Sequence, residues 1–130
     1  VHGKYVPLFI KIAPDLSPEE VDGIAESLIK SEMDGVIATN TTLDREAVQG
    51  LEHANEAGGL SGEVLVNQSQ LITEQLHAAL NGKMPIIGVG GIHDVASAKA
   101  RMAAGAELIQ VYSSFIYQGP ALVKQLVEGL

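Results

Sequence analysis

Short apolar runs alternate with longer amphipathic stretches along the chain. The apolar runs cover residues 8–12, 35–39, 86–89 and 108–111. Runs of this length, bounded by glycine, proline or polar residues, are typical of strands that are buried on both faces. The pattern therefore predicts four parallel strands.

The amphipathic stretches predict helices between and after these strands. The first begins at Ser17, which suits the N-cap, with Pro18 in the first turn and Glu20 in position for a capping box. Further helices are predicted over residues 68–80, 94–104 and 121–128. Strands that alternate with helices in this way indicate a parallel α/β architecture.

Four β/α units are about half of a (β/α)8 TIM barrel, which has eight strands and about 250 residues. A flavodoxin-like sheet is the structural alternative, but it takes about five strands, and only four are visible in this chain. Polar or glycine-rich segments also follow the strands, as they do at the C-terminal face of a barrel. We therefore predict one half-barrel of four β/α units over residues 1–130.

Composition and charge narrow the range of functions. The 130 residues include no cysteine, so neither a disulfide framework nor a thiolate metal site is available. The formal net charge is -8 without any cluster of Lys or Arg, which argues against nucleic-acid binding and attraction to an anionic membrane surface. The chain starts at Val1 rather than at a methionine, which we interpret as a sign that further chain precedes it.

The connection between residues 39 and 67 is the longest and shows no sustained hydrophobic period. It contains four glycines, which are Gly50, Gly58, Gly59 and Gly62. Loops of this length in compact domains are either functional or disordered. The polar residues at its start favour a functional loop.

Two segments at strand ends carry candidate chemistry, and each also has an ordinary structural explanation. Lys11 is either a side chain that reaches along its strand to water, or a cation in the barrel mouth opposite a cofactor that becomes negatively charged. Thr39, Asn40 and Thr41 either cap a turn or hydrogen-bond a polar planar ligand.

The glycine-rich run from Gly88 to Ile92 predicts a phosphate-bearing ligand. Three glycines at a strand end let the backbone approach an anion and direct N–H groups towards it. Tyr112, Ser113 and Ser114 end the next strand, and the corresponding loops hold phosphate in many barrels. Tight turns without a ligand are the alternative.

The histidines and loop charges carry no predicted chemistry. The four histidines are His2, His53, His77 and His93. Their spacing matches no metal site, so we predict no metal and a surface position for each. Asp44, Arg45 and Glu63 are interpreted as solvated loop charges.

Taken together, these segments resemble the class 2, quinone-linked dihydroorotate dehydrogenases of pyrimidine biosynthesis. The resemblance is carried by KIAPDL at residues 11–16, DGVIATNTT at 34–42, GGLSG at 58–62, PIIGVGGI at 85–92, Tyr112-Ser113 and Gly119-Pro120. Each motif alone is weak, whereas the whole set in this order is specific. It implies that residues 1–130 are the C-terminal half-barrel of an FMN-binding domain.

The resemblance also implies roles for individual residues. The FMN site would be formed by Lys11, Thr39, Gly62, Gly91, Tyr112 and Ser113. Lys11 would contact the flavin ring and stabilise the negative charge that accumulates on reduction. Asn40 and Thr41 would hydrogen-bond dihydroorotate or orotate. In the family the catalytic base is a serine in the N-terminal half, so no catalytic residue is assigned to this chain.

The family's remaining parts are absent from these 130 residues. They are the first four β/α units and the N-terminal helical extension through which such enzymes meet membrane and quinone. The resemblance implies a complete enzyme that is peripheral to the cytoplasmic side of the membrane. An isolated chain of these residues would be a cytoplasmic, soluble and self-associating fragment without activity.

Two alternatives come from other classes of protein. The glycine turn is shared by phosphate-binding barrel lyases and synthases, in which Lys11 and the Asn40-Thr41 pair would have no evident task. The second alternative is a non-catalytic module, because half a barrel leaves two open sheet edges.

Overall fold

The computed structural model describes residues 3–130, and His2 lies outside them. Four parallel strands form one sheet in the order β1-β2-β3-β4. The strands are β1 at Phe9–Ile12, β2 at Gly35–Ala38, β3 at Ile86–Val89 and β4 at Leu108–Gln110. The predicted strands are therefore confirmed, and their sequential order is that of a β/α barrel rather than a doubly wound sheet.

Five α-helices accompany the sheet in the described residues. They are α1 at Pro18–Lys30, α2 at Val66–Leu80, α3 at Val95–Ala103, α4 at Ser113–Gln118 and α5 at Ala121–Gly129. The capping box at the start of α1 is confirmed, because Glu20 N donates to Ser17 Oγ at 3.3 Å and Ser17 N donates to Glu20 Oε2 at 2.8 Å. The short helix α4 was not predicted, since six residues are too few for a helical period to show. No helix in residues 3–130 combines the length and apolarity needed to cross a membrane.

The two faces of the sheet differ in burial. Val36, Ala38 and Ile86 point to the outer face, where α1 and α2 cover them completely. The opposite, inner face is open, and Leu108 on β4 keeps 62% of its surface exposed. Side chains alternate between faces along a strand, so Lys11 lies on this inner face through its pairing with Ile37. Within residues 3–130 the strands are therefore buried on the outer face only, which is the face that half of a barrel covers with its own helices.

Two clusters of apolar side chains hold the helices against the outer face. The larger cluster includes Val21 and Leu28 of α1 together with Leu76 and Leu80 of α2. A smaller cluster at the other end of the sheet joins α3 and α5 to the segment after β3. Burial of each of these side chains stabilises the fold by about 1.5–3 kcal/mol. The carboxyl ends of all four strands are thereby fixed at one edge of the sheet.

The long connection after β2 is ordered by hydrogen bonds across its base. Thr42 N donates to Leu60 O at 3.1 Å, and Leu60 N donates to Thr42 O at 2.8 Å. Arg45 was predicted to be a solvated charge, but its guanidinium is half-buried and donates to Thr42 O at 3.2 Å and to Gly58 O. The prediction is wrong because the loop folds back and brings carbonyls from both of its halves to this one cation. Asp44 and Glu63 are exposed, as predicted.

Candidate functional site

A cavity of about 720 Å³ lies at the carboxyl ends of the strands. Its wall includes all eight residues predicted to bind cofactor or substrate, which are Lys11, Thr39, Asn40, Thr41, Gly62, Gly91, Tyr112 and Ser113. The volume is within the range of pockets that bind small-molecule cofactors. These residues come from four different β/α units, so the fold alone brings them together.

Lys11 occupies the inner face of β1 at the cavity wall. Its side chain is exposed, and its Nζ forms no ion pair with a carboxylate of residues 3–130. Both interpretations of the sequence are compatible with this position, since Lys11 is exposed on the open face of the sheet and also lines the cavity. A cation in this place is available to an anionic or electron-rich ligand.

The segment after β2 contributes one buried and two accessible polar groups. Thr39 is 1% exposed, and its Oγ1 is 2.7 Å from Ser69 Oγ on α2 and donates to Asn40 O at 3.0 Å. Asn40 is exposed, and its Oδ1 accepts from Thr41 N at 2.9 Å. The turn-capping interpretation is therefore right for the Asn40 oxygen. The amide NH2 of Asn40 is left for a ligand in the cavity.

The carboxylate of Asp15 holds the segment after β2 in place through hydrogen bonds. Its Oδ2 accepts from Leu43 N at 2.9 Å, and its Oδ1 accepts from Gln68 Nε2 at 3.1 Å and from the Thr42 hydroxyl. Partial burial raises the pKa of Asp15, but the hydrogen bonds from Thr42, Leu43 and Gln68 and the nearby charge of Arg45 outweigh it, so the pKa lies below its usual value. The ionised carboxylate of Asp15 thus links the segment after β1 to the segment after β2 and to helix α2.

We predict that Asp15→Asn lowers the free energy of unfolding by about 1 kcal/mol, because an amide accepts fewer hydrogen bonds and solvent screens this exposed position. A lowered carboxyl pKa stabilises the fold above the unfolded-state pKa of about 3.9, and this stability is lost as the pH falls through the lower folded-state value. Urea unfolding of both proteins at pH 7 and pH 3 checks this. A difference that is as large at pH 3 as at pH 7 would contradict it.

The turn after β3 is built from glycines with left-handed backbone. Gly90 has φ 104° and Gly91 has φ 77°, which favour glycine. A Cβ at Gly91 would lie 2.5 Å from Val66 N at the start of α2. Among residues 3–130, the N–H groups of Gly90 and Gly91 donate to no protein acceptor. The turn therefore presents two free backbone donors beside the cavity, which is the arrangement that an anion needs.

The adjoining part of the cavity wall comes from the segment after β4. Tyr112 is 74% exposed, and Ser113 Oγ lies 2.9 Å from Ser61 Oγ of the long connection. Ser114 Oγ donates to Ile92 O at 2.6 Å. The helix α4 begins at Ser113, so its first-turn N–H groups have no intrahelical acceptors, and Ser113 and Ser114 line the same cavity as the glycine turn. Two neighbouring strand ends thus supply donors to one part of the cavity.

Two residues of the site were not found from the sequence. His93 was predicted at the surface, but it is half-buried on the cavity wall, and its Nδ1 is 2.8 Å from Gly91 O. The prediction is wrong because the Gly-Gly turn folds the residue after Ile92 back towards the ligand site. Arg101, on α3, is 2% exposed and donates to carbonyls of the glycine turn. His53 and His77 are exposed, as predicted.

The architecture and the site together define the class of protein: half of an α/β barrel with a ligand cavity at the carboxyl ends of its strands. A family model described as dihydroorotate dehydrogenase matches residues 2–130. The chain belongs to the dihydroorotate dehydrogenase family.

Relatives and solved structures agree with this assignment. A dihydroorotate dehydrogenase (quinone) of Vibrio parahaemolyticus is 60% identical over 129 residues, which are 99% of this chain and 38% of the relative. Its counterpart in Shewanella halifaxensis is 60% identical over 128 residues, with 98% and 38% covered. A crystal structure of DHODH in complex with ferulenol from Eimeria tenella matches with a TM-score of 0.91 at 40% identity, over 98% of this chain and 34% of that chain.

The predicted resemblance to the quinone-linked class and the predicted half-barrel are thereby confirmed. The chain spans 38% of the length of these curated relatives.

Proposed function

We propose that the protein containing this chain oxidises dihydroorotate to orotate with FMN as cofactor and quinone as electron acceptor, in pyrimidine biosynthesis. Residues 1–130 would form the C-terminal half-barrel of its FMN-binding domain. The observation that carries the proposal is the convergence of all eight predicted ligand-binding residues on one cavity wall. Family membership and the names of the relatives support it.

The residues present fit FMN at both ends of that ligand. The free N–H groups of the glycine turn and the first turn of α4 suit a phosphate. Lys11 and Thr39 border the part of the cavity nearer β1 and β2, which suits the polar ring system. When bound, FMN supplies the chemistry of hydride acceptance and electron transfer. The chain's own residues hold and orient it.

Lys11 has the clearest electrostatic task in this arrangement. Lys11 lines the cavity, and its ammonium group has no carboxylate partner in residues 3–130. A fixed cation stabilises negative charge that develops next to it, and it does so most strongly where water is excluded. Lys11 would therefore favour the reduced, anionic state of the ring.

Asn40 and Thr41 would orient the pyrimidine substrate. The Asn40 oxygen is already occupied by Thr41 N, so the amide NH2 of Asn40 would donate to a substrate carbonyl. The cavity serines are engaged: Ser61 pairs with Ser113, and Ser114 donates to Ile92 O. We assign none of them as the base that removes a proton from dihydroorotate. That base would belong to the other half of the barrel.

The complete enzyme would meet quinone and the cytoplasmic side of the membrane through a segment outside these residues, as class 2 enzymes do. The lyase or synthase alternative shares the glycine turn but gives Lys11 and Asn40 no task. A visible flavin spectrum of the complete purified protein tests this choice directly. A colourless protein that does not take up FMN would refute the proposed function.

We predict that Lys11→Ala in the complete protein slows flavin reduction by dihydroorotate by about 100- to 1,000-fold, because about 3–4 kcal/mol of charge stabilisation is lost from the barrier. Anaerobic stopped-flow absorbance measures the rate. Lys83→Ala is the matched control, since Lys83 is an exposed lysine in the turn before β3, at the far end of the sheet. A normal reduction rate in Lys11→Ala with full FMN content would contradict the role.

A further inference from the structure

Arg101 is a buried cation that the proposed function leaves without a task. It lies on α3 with 2% of its surface exposed. Its Nη1 donates to Val89 O at 3.0 Å, and its Nη2 donates to Gly90 O at 3.0 Å and to Val66 O at 3.4 Å. Within residues 3–130 it forms no salt bridge, and its Nε has no hydrogen-bond partner. Burial of a charge without a counter-ion is unfavourable, so a packing role alone explains it poorly.

The hydrogen bonds of Arg101 reach two successive peptide groups of the glycine turn. In a trans peptide the C=O of one residue and the N–H of the next point in opposite directions. Arg101 donates to the carbonyls of Val89 and Gly90. Val89 O also accepts from Thr39 N at 2.7 Å, so the direction of the Gly90 N–H is set by Arg101 and Thr39 together. The Gly90 carbonyl is held by Arg101, and the Gly91 N–H must then point away from the guanidinium. Both glycines line the cavity.

A glycine in strand β3 leaves room for the side chain of Arg101. A Cβ at Gly88 would collide with the side-chain stem of Arg101, at Cγ and Cδ. The glycine at this position therefore lets the arginine stem pass the strand and reach the turn. Val66 O, which Nη2 also contacts, belongs to the first residue of α2. One guanidinium thus joins the turn to the beginning of the helix behind it.

Arg101 also brings positive charge to the back of the turn. Burial lowers the pKa of Arg101 to about 10, so the guanidinium remains protonated at neutral pH. The charge is separated from the cavity by the peptide groups that it orients. Because the interior screens weakly, an anion on the other side of these peptides is attracted by both the dipoles and the cation.

We propose that Arg101 is the positioning residue of a phosphate cradle, and that it makes the site prefer a phosphorylated flavin to an unphosphorylated one. This inference rests on the proposed function for the identity of the ligand, FMN. Arg101 itself does not touch the ligand. It orients the Gly91 N–H towards the phosphate, holds the Gly90 N–H together with Thr39, and supplies the charge behind both groups.

The test compares FMN with riboflavin, which has the same ring system and no phosphate. Flavin-free samples of the complete protein are titrated with each ligand, and quenching of flavin fluorescence gives both Kd values. Arg101→Met removes the charge and the donors, Arg101→Gln removes the charge but keeps a donor, and Arg101→Lys keeps the charge. Lys99→Met, an exposed lysine of the same helix, is the matched control.

We expect Arg101→Met to weaken FMN binding by about 10- to 100-fold, the range of one or two charge-assisted hydrogen bonds, and to change riboflavin binding by less than about threefold. Arg101→Gln should weaken FMN selectively as well, whereas Arg101→Lys and Lys99→Met should retain most of the preference for FMN. If the methionine variant does not fold, the Kd values of Arg101→Gln for FMN and riboflavin decide the test, because glutamine is polar and keeps a hydrogen-bond donor.

An equal loss of FMN and riboflavin binding would show a merely structural role and overturn the inference. An unchanged preference for FMN in the neutral variants would overturn it too. Failure of the unsubstituted protein to bind either flavin would instead refute the proposed function, so the two failures are distinguishable.

Discussion

Gly91→Val should abolish FMN binding by the complete protein while most of its fold survives. At φ 77° a branched side chain is strained, and its Cβ would lie 2.5 Å from Val66 N, which is backbone at the start of α2. The turn can relieve this collision only by moving away from α2. Such a movement displaces the two free N–H groups from the cavity. The expected result is a colourless protein with near-native far-UV circular dichroism.

Gly82→Val is a closely matched control for backbone strain. Gly82 has φ 73°, nearly the value of Gly91, but a Cβ there meets no atom within 4 Å. It lies in the turn between α2 and β3, at the opposite end of the sheet from the cavity. The control should lose about 1–3 kcal/mol of stability through strain and keep its flavin. A Gly91→Val protein that remains fully yellow would show that Gly91 is only a turn residue.

The fold was largely predictable because its signals are local. The capping box at Ser17 and the apolar period of α1 lie within 14 consecutive residues, from the N-cap to Lys30. The half-barrel followed from the repetition of such units. The pattern of a single strand could not show which of its faces is covered, because residues such as Ile37 and Leu108 are equally apolar whichever side of the sheet is covered. Whether one face of a strand is buried depends on the elements that pack against it, and not on the sequence of the strand alone.

Part of the cavity wall could also be predicted from the sequence. Residues at the ends of parallel strands share one edge of the sheet, so Lys11, Asn40 and Gly91 could be placed together from order alone. Arg101 and Asp15 act at long range, on carbonyls and side chains of other β/α units. A lysine or arginine in an amphipathic helix is ordinarily solvated, and nothing in the pattern of α3 itself indicates that Arg101 points inward. Gly88 was the available signal, since a strand glycine marks close approach by another group.

A polypeptide limited to residues 1–130 should self-associate. Leu108 on the inner face and Ile116 on α4 are 62% and 67% exposed. Strands β1 and β4 are both edges of the sheet in the described residues, and open edges beside apolar surface favour association. We expect a dimer or larger species in sedimentation velocity. Substitution of Leu108 by lysine should shift the distribution towards the monomer, whereas the same change at the exposed, outward-facing Val127 of α5 should have less effect.

The same polypeptide should not oxidise dihydroorotate, and it should bind FMN weakly or not at all. Half of the cavity wall would be missing, and the proposed function assigns the base to the other half of the barrel. A quinone-reduction assay with added FMN measures this, and the complete protein serves as the positive control. Addition of the preceding half-barrel as a separate polypeptide should restore flavin binding and part of the activity, because its strands would cover both open edges. A stable monomer of residues 1–130 that oxidises dihydroorotate would place the catalytic base within this chain and contradict the assignment of that base to the other half.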